Sequence, residues 1–386
     1  NTLWMSPITQ NPEDDWGLWN QGGPVSTFSG YHGYWPISNI TPDHRFASPD
    51  ELHLFLEDAH ANEQNVLLDY VANHVHELHP VFQKHPNWAT NKYTADGRLN
   101  TQLWDEERLT TWFDTFMPTL ELRNDTVADL MSDSALVWIT EYDFDGFRHD
   151  ATKHIPMNFT RLLTQKIRTA SDNHIYQIGE TYGSDELIAS YVGSGKVDAQ
   201  FNFNLYDAAF EAFTQEGATF DRLRKALASS LTYYGHHHLM GNISGNQDKP
   251  RFSSMASGHL SMSEDSKLAG WTREIPEPKE RGYRKMAAMH AFNIAVPGIP
   301  ILYYGDEIAL HGGNDPDNRK MMPFDFSPRQ QQLFDRIARL NENRTNIMAL
   351  NYGSTTIHQP EPHLLIIVRK YMEQEVRFFF NNSNED

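Results

Sequence analysis

Residues 146–154 read GFRHDATKH and complete a short apolar run of the kind that forms a buried strand. We predict a strand over residues 144–148. Arg148 and Asp150 stand two positions apart, so their side chains point to the same side of that strand. Residues 65–71 (NVLLDYV) show a similar pattern, an apolar run with an acidic residue, Asp69, near its end.

Strand-like runs and helical patterns alternate outward from these two stretches. The strand-like runs are residues 1–8, 175–179, 197–203, 238–243 and 299–303, and the clearest helical patterns are residues 52–63 and 125–140. Alternating units of this kind predict an α/β fold with a parallel sheet and right-handed crossovers. With 386 residues, the chain has the length of a large α/β barrel with additions.

Two regions interrupt this alternation. Residues 75–117 are polar and lack periodicity, whereas residues 364–368 and 376–380 are typical of antiparallel strands joined by a turn. We therefore predict a barrel in residues 1–74 and 118–345, an inserted domain in residues 75–117, and the start of a β domain in residues 346–386.

The charge and composition restrict the classes of partner. The net charge is -19, so nucleic acid is not an expected partner and a neutral ligand fits better. Cysteine is absent, which excludes disulfides and thiolate metal sites. The sequence has no apolar run of about 18 residues, so we expect no membrane span.

Four acidic residues recur at equivalent places in the predicted fold. Asp69, Asp150, Glu180 and Asp248 each lie at or just past the carboxyl end of a predicted strand. In a barrel, those ends form one face, and active sites are built there. A single carboxylate at a strand end usually caps a helix or a loop, but four in register indicate a catalytic site.

Ordered motifs now indicate a family. They are DYVANH (69–74), GFRHDATKH (146–154), GET (179–181), GNQDKPRF (245–252), GIPILYYGDE (298–307) and GGNDPDNR (312–319). In this order and spacing, the chain resembles the α-amylase family of glycoside hydrolases. The resemblance implies a (β/α)8 barrel with an inserted domain B after the third strand and a C-terminal antiparallel β domain. The family's first barrel strand and the end of its β domain have no counterpart here, so we expect the chain to be part of a longer protein.

The resemblance also implies catalytic roles. Asp150 would be the nucleophile, Glu180 the acid/base and Asp248 a supporting carboxylate that binds sugar hydroxyls, because cleavage with retention needs two cooperating carboxyl groups. Arg148 would keep Asp150 ionised and oriented. Asp69 would order Arg148 and its neighbours rather than touch substrate.

Further residues resemble the family's sugar-binding positions. Tyr34 would stack on the cleaved sugar and His32 would hydrogen-bond it, whereas Trp35 is expected to pack in the protein interior. Lys153 and His154 would hold leaving-side sugars, and Asp315 and Arg319 would grip sugars on the non-reducing side. Alternatively, these charged loop residues are simply solvated.

Two positions depart from the family's pattern. Gln247 stands where most members have a histidine, and an amide keeps a donor and an acceptor but cannot carry charge. The family often binds calcium beside domain B, and Asn73 and the backbone carbonyl of His154 match two of the ligands. Thr119 replaces the usual aspartate ligand, which weakens a calcium site. No cofactor is expected to be required for the chemistry.

Several functions stay open. The leading interpretation is an endo-acting α-amylase that hydrolyses α-1,4 bonds in starch, glycogen or maltodextrins. The alternatives are a hydrolase or transglycosylase of the neopullulanase or cyclomaltodextrinase type and a non-catalytic glucan-binding homologue. The carboxylates argue against the last, although fold alone does not imply function. An extracellular or periplasmic location is expected if the substrate is polymeric starch, and the oligomeric state stays open.

Overall fold

The computed structural model describes residues 1–19 and 26–383, except for the side chains of Leu18 and Trp19. The described chain divides into two compact units. The first contains residues 1–19, 26–183 and 187–200, and the second contains residues 184–186 and 201–383.

A parallel sheet organises the first unit. The strands are β1 (Thr2–Met5), β2 (Trp16–Trp19), β3 (Ser26–Phe28), β4 (Asn65–Tyr70), β5 (Gly146–His149), β6 (Tyr176–Gly179) and β7 (Ala199–Gln200). The sheet has the order β1-β4-β5-β6-β7 with all neighbours parallel, and β2 and β3 form a separate antiparallel pair. The carboxyl ends of the five parallel strands therefore meet at one edge.

Helices cover this sheet between the strands. They are α1 (Pro49–Ala61), α2 (Pro80–Lys84), α3 (Asp125–Thr140), α4 (Met157–Ala170) and α5 (Asp185–Ser190), the last divided between the two units. Ser48 begins α1 with a reciprocal capping box to Glu51, and the Asn124 side chain caps α3. Leu52 and Leu56 of α1 are buried in the same apolar cluster as Trp138 of α3. This one-sided burial fixes both helices against the strands.

Residues 75–117 contain α2, a 3₁₀ turn at Pro86–Trp88 and isolated β-bridges rather than a regular layer. Their polar side chains are used in loop hydrogen bonds. Trp112 Nε1 donates to the Thr90 carbonyl at 3.1 Å, and Asn100 Nδ2 donates to the Thr110 carbonyl at 3.1 Å. The insert thus holds its shape by side-chain to backbone bonds, which explains the lack of periodicity in its sequence.

The second unit contains both parallel and antiparallel strands. Its elements are α6 (Phe203–Thr214), α7 (Asp221–Tyr234), β8 (Gly241–Ile243), α8 (Phe252–Ala256), α9 (Ser266–Thr272), α10 (Glu280–Ala295), β9 (Ile299–Ile301), α11 (Pro328–Asn346), α12 (Met348–Tyr352), β10 (Ser354–Glu361), β11 (Leu364–Tyr371) and β12 (Gln374–Asn381). Strands β8 and β9 pair in parallel, whereas β10, β11 and β12 form an antiparallel sheet.

Two arginines, one from this antiparallel sheet and one from α11, bind carbonyls at and just beyond the end of α10. Arg369 of β11 is fully buried and donates to the carbonyls of Ala295 and Gly353, and Arg344 of α11 donates to the Gly298 carbonyl at 2.7 Å. The end of a helix leaves carbonyls without intrahelical partners, and cationic donors satisfy them well.

Two of the predicted strands were wrong in detail, and one strand was not predicted. Residues 1–8 form a strand only at Thr2–Met5, and Leu3 is 40% exposed because β1 lies at the sheet edge and pairs only with β4. Residues 197–203 contain a two-residue strand before α6 begins, since a short apolar run does not distinguish a buried strand from a buried helix. Strand β10 has mixed polarity and was missed. Within residues 1–19 and 26–383, no helix is both long and apolar enough to cross a membrane.

Candidate active site

One buried arginine contacts three carboxylates at the carboxyl edge of the parallel sheet. Arg148 Nη1 donates to Asp69 Oδ1 and to Asp150 Oδ1, each at 2.8 Å. Its Nη2 lies 2.9 Å from Glu180 Oε2. The side chains of Arg148 and Asp69 are 1% and 0% exposed, whereas those of Asp150 and Glu180 are 10% and 14% exposed. The two predicted reacting carboxylates are therefore the ones that solvent reaches.

The strand register produces this convergence. Asp69 of β4 is opposite Arg148 of β5, and His149 is opposite Gly179 of β6. Asp150 and Glu180 each follow the last residue of their strand. Because adjacent parallel strands end side by side, residues far apart in sequence become neighbours.

Asp69 is held by two aromatic residues as well as by Arg148. Tyr34 donates its hydroxyl to Asp69 Oδ2 at 2.8 Å, and Trp4 Nε1 donates to the same oxygen at 3.2 Å. The Arg148 guanidinium also lies 5.3 Å from the Trp4 ring centroid. The sequence interpretation missed Trp4. Its place within the first strand-like run, residues 1–8, was the available signal.

The loop after the predicted nucleophile is shaped around Glu180. Ala151 has a positive φ of 47°, which is strained for a residue with a side chain and costs about 1–3 kcal/mol. In this conformation the Ala151 N–H donates to Glu180 Oε2 at 3.0 Å. Glu180 N donates to Thr152 Oγ1, and Lys153 N donates to the Glu180 carbonyl, both at 3.1 Å. The loop thus binds the backbone and the carboxylate of Glu180.

Charge is unbalanced in this cluster, since one guanidinium faces three carboxyl groups. Burial raises the pKa of Asp150 well above its usual value, and Arg148 opposes that rise while Glu180 and Asp69 add to it. Burial likewise raises the pKa of Asp69 to about 6 against the pull of Arg148. The expectation that Arg148 keeps Asp150 ionised stays a prediction: Arg148 lowers the pKa of Asp150, whereas burial and the two neighbouring carboxyl groups raise it. One shared cation does not offset burial and two neighbouring negative charges, so the cluster retains a proton more readily than a solvated carboxylate does.

The predicted sugar-binding residues of the first unit have protein partners. The Tyr34 N–H donates to His32 Nδ1 at 3.0 Å, and the His32 ring packs edge-on against Trp35 at 5.0 Å. Lys153 Nζ lies 2.5 Å from Asp105 Oδ1 of the insert. The His154 ring is buried against the insert, and its Nδ1 lies 2.7 Å from the Arg108 carbonyl. Burial lowers the pKa of His154 to about 4, so near pH 7 it is neutral and donates this bond.

The remaining predicted site residues lie in the second unit and form a charged group of their own. Arg319 Nη1 is 3.1 Å from Asp315 Oδ1, and Arg319 Nη2 is 3.4 Å from Asp248 Oδ1. The Arg319 Nε–H also donates to the Gln247 carbonyl at 3.1 Å. The Asp248 side chain is 54% exposed. Arg319 therefore organises the segment that carries Asp248, a role that the motif alone did not indicate.

The residues beside the insert fit calcium poorly. Asn73 Oδ1 is buried without a hydrogen-bond partner, as a ligand oxygen would be. However, the hydroxyl of Thr119, which stands where the family has an aspartate ligand, donates to the Thr111 carbonyl at 2.6 Å. The nearby Arg108 carbonyl is also engaged, since it accepts a hydrogen bond from the His154 ring. Across the described ranges, no group of three or more His, Asp or Glu side chains is arranged to hold a metal. Calcium requires several oxygen ligands and gains affinity from carboxylates, and neither Asn73 nor Thr119 supplies one.

The comparison with protein families agrees with this geometry. The model of the α-amylase catalytic domain matches residues 1–348, so the chain belongs to the α-amylase family. A cyclomaltodextrinase of Geobacillus thermopakistaniensis is 26% identical over 373 residues, covering 94% of this chain and 58% of that protein. An intracellular maltogenic amylase of Bacillus subtilis is 24% identical over 366 residues, with the same two coverages. The chain thus spans 58% of the length of these curated relatives.

Solved structures show the same fold. An α-amylase of Geobacillus thermoleovorans, determined with acarbose, has a TM-score of 0.80 and 26% identity, covering 100% of this chain and 77% of that one. An Anoxybacillus α-amylase has a TM-score of 0.81 and 25% identity, with coverages of 100% and 76%. The predicted fold class, a (β/α)8 barrel with a C-terminal β domain, is confirmed by these matches, and the parallel strands described above are consistent with it.

Proposed function

We propose that this protein is a retaining glycoside hydrolase that cleaves α-1,4-glucosidic bonds in glucans. One observation carries the proposal: the two terminal nitrogens of Arg148 bind Asp150 and Glu180 at 2.8 and 2.9 Å. Two carboxylates on one guanidinium are immediate neighbours. Retaining enzymes place their carboxyl groups about 5–5.5 Å apart, whereas inverting enzymes separate them by about 6.5–9.5 Å to admit a water.

The proposed reaction has two steps. In the first, a carboxylate oxygen of Asp150 forms a bond to the anomeric carbon, while the glycosidic C–O bond breaks and the protonated Glu180 gives its proton to the leaving oxygen. In the second, Glu180 takes a proton from water, the hydroxide oxygen bonds to the anomeric carbon, and the carboxylate of Asp150 leaves. No redox partner or cofactor takes part in either step.

The shared environment of the acids supports these roles. Arg148 binds both carboxylates and so can orient them throughout the cycle. In the second unit, Asp248 would bind sugar hydroxyls, with Gln247 beside it as a neutral hydrogen-bonding group. Asp315 and Arg319 would contact sugars on the non-reducing side, with their mutual ion pair reorganised by the substrate.

Two substrate preferences have specific support. An endo-acting α-amylase agrees with the two α-amylase structures, which match the whole chain. A cyclomaltodextrin- or maltodextrin-degrading enzyme agrees with the names of the curated relatives, one of which is described as intracellular. The preferences also imply different compartments, because polymeric starch does not enter cells whereas short maltodextrins do.

Product analysis on soluble starch and on β-cyclodextrin distinguishes these candidates. Mixed oligosaccharides from starch indicate the endo-amylase, and rapid opening of cyclodextrin with slow attack on starch indicates the second type. Elongated products would show a transglycosylase. Asp150→Asn is the control, and its products must vanish. A well-folded wild-type protein that acts on neither substrate would refute hydrolysis and favour a glucan-binding homologue.

A further inference from the structure

A turn of the insert contacts the loop that follows Asp150, and this loop in turn binds Glu180. The Arg108 guanidinium Nη1 donates to the Lys153 carbonyl and, at 2.8 Å, to the hydroxyl of Tyr191. Tyr191 is 2% exposed and donates its hydroxyl to the Ile155 carbonyl at 2.7 Å. One cationic side chain therefore binds the short 3₁₀ turn Thr152–His154 directly at the Lys153 carbonyl, and through Tyr191 it is linked to Ile155, which follows the turn.

Neighbouring residues of the insert reinforce this contact. Asp105 pairs with the Lys153 side chain, and the Arg108 carbonyl accepts from the buried His154 ring. Trp104 packs edge-on against His154, with ring centroids 5.5 Å apart. Residues 104–108, which we call the clamp turn, thus contact both residues that follow Thr152.

The 3₁₀ turn that Arg108 contacts, together with the residue before it, also binds Glu180. Thr152 Oγ1 accepts from Glu180 N, Lys153 N donates to the Glu180 carbonyl, and Ala151 N donates to Glu180 Oε2. Arg108 is therefore one residue removed from the proposed proton donor, since the backbone N–H and carbonyl of Lys153 contact Glu180 and Arg108 respectively. Displacement of a reacting group by about 1 Å costs about 100-fold in rate.

From these contacts we propose that Arg108 is a positioning residue for Glu180, and that the clamp turn joins the insert to the sheet edge in place of the calcium that the family resemblance implies there. The contacts supply what an ion there would supply: a cation that binds oxygen atoms, one from a carbonyl and one from a hydroxyl, and connects segments distant in sequence. The positioning role rests on the proposed retaining chemistry, whereas the replacement of calcium does not.

The test compares two substrates in Arg108→Met. Maltoheptaose needs a proton on its leaving oxygen, whereas an α-maltosyl fluoride has a leaving group that departs without one. We expect kcat/KM to fall about 100-fold for maltoheptaose, within the range of general acid catalysis, and less than about 3-fold for the fluoride. Arg108→Lys, which keeps a cationic donor, should recover part of the loss.

Arg98→Met is the matched control, because Arg98 is also an arginine of the insert but is about half exposed and pairs only with Asp96 and Glu106 among the described contacts. Arg98→Met should leave kcat/KM unchanged for both substrates. Equal losses on both substrates in Arg108→Met would refute the positioning role and leave retaining hydrolysis standing. A wild-type enzyme inactive on both would refute the proposed function and the positioning role together.

Thermal unfolding tests the replacement of calcium without any activity measurement. The wild-type Tm should be the same in excess EDTA and in millimolar CaCl2, because an ion that binds only the folded state raises stability by RT ln(1 + c/Kd), where c is its free concentration, and an ion that does not bind leaves Tm unchanged. Arg108→Met should lower Tm in both solutions. A rise of the wild-type Tm with calcium, reversed by EDTA, would overturn the replacement.

Discussion

Replacing Arg148 by methionine should destabilise the protein in a pH-dependent way. The substitution keeps an unbranched apolar stem but leaves Asp69, Asp150 and Glu180 without their common cation. Removing one partner of a buried ion pair costs about 3–5 kcal/mol, and here a single removal strands three carboxyl groups. We expect a loss at the upper end of that range near pH 8, measured by urea unfolding.

The pH dependence follows from the raised pKa values. A carboxyl group whose folded-state pKa exceeds its unfolded value binds more protons when folded, so stability is lost as pH rises between the two. For Asp69 in the wild type, the window runs from 3.8 to about 6 and corresponds to about 3 kcal/mol. Without Arg148 the window extends upward, so Arg148→Met should lose much less stability at about pH 4.5 than at about pH 8.

Arg369→Met separates this effect from the general cost of deleting a buried arginine. Arg369 is fully buried and donates to two carbonyls, which do not titrate. Its loss should be nearly equal at the two pH values. If the stability lost in Arg148→Met is equal at the two pH values, or larger at low pH, the raised pKa values described for the active-site carboxyl groups are wrong.

Three further expectations follow from the same contacts. Asp150→Asn should raise Tm near pH 8, because it removes a charge that burial penalises, and should lower hydrolysis by about 10⁴-fold or more, because it removes the proposed nucleophile. Asp43→Asn is its control and should lower Tm. Although burial opposes it, Arg45 holds the pKa of Asp43 below its usual value, so the charge of Asp43 stabilises the folded protein. Trp4→Phe keeps the ring but removes the 3.2 Å bond to Asp69, so urea unfolding should show a loss of about 1 kcal/mol, and an unchanged midpoint would contradict that bond. Gln247→His should add a titration at about pH 6.5 to the pH dependence of kcat/KM. A pH dependence identical to that of the wild type would show that this position does not act on the reaction.

Much of the fold was readable from local pattern. The helix at Asp125–Thr140 was predicted with the same bounds, and strand β4 lies within the predicted run at residues 65–71. These elements were predicted correctly because hydrophobic periodicity, side-chain capping and strand propensity each act over a few neighbouring residues. Where periodicity was ambiguous, as at residues 197–203, the boundary was decided by packing and the prediction was wrong.

The sequence by itself determined which carboxyl groups stand at strand ends, because parallel strands bring their ends together whatever lies between them. Asp69, Asp150 and Glu180 were identified in this way. Tertiary structure alone decided what holds them. Trp4 reaches Asp69 across 65 residues, and Arg108 reaches Lys153 and Tyr191 across 45 and 83. Pairings of this length depend on how loops close, and the protonation of Asp150 depends on burial and on all neighbouring charges at once; neither leaves a pattern in the local sequence.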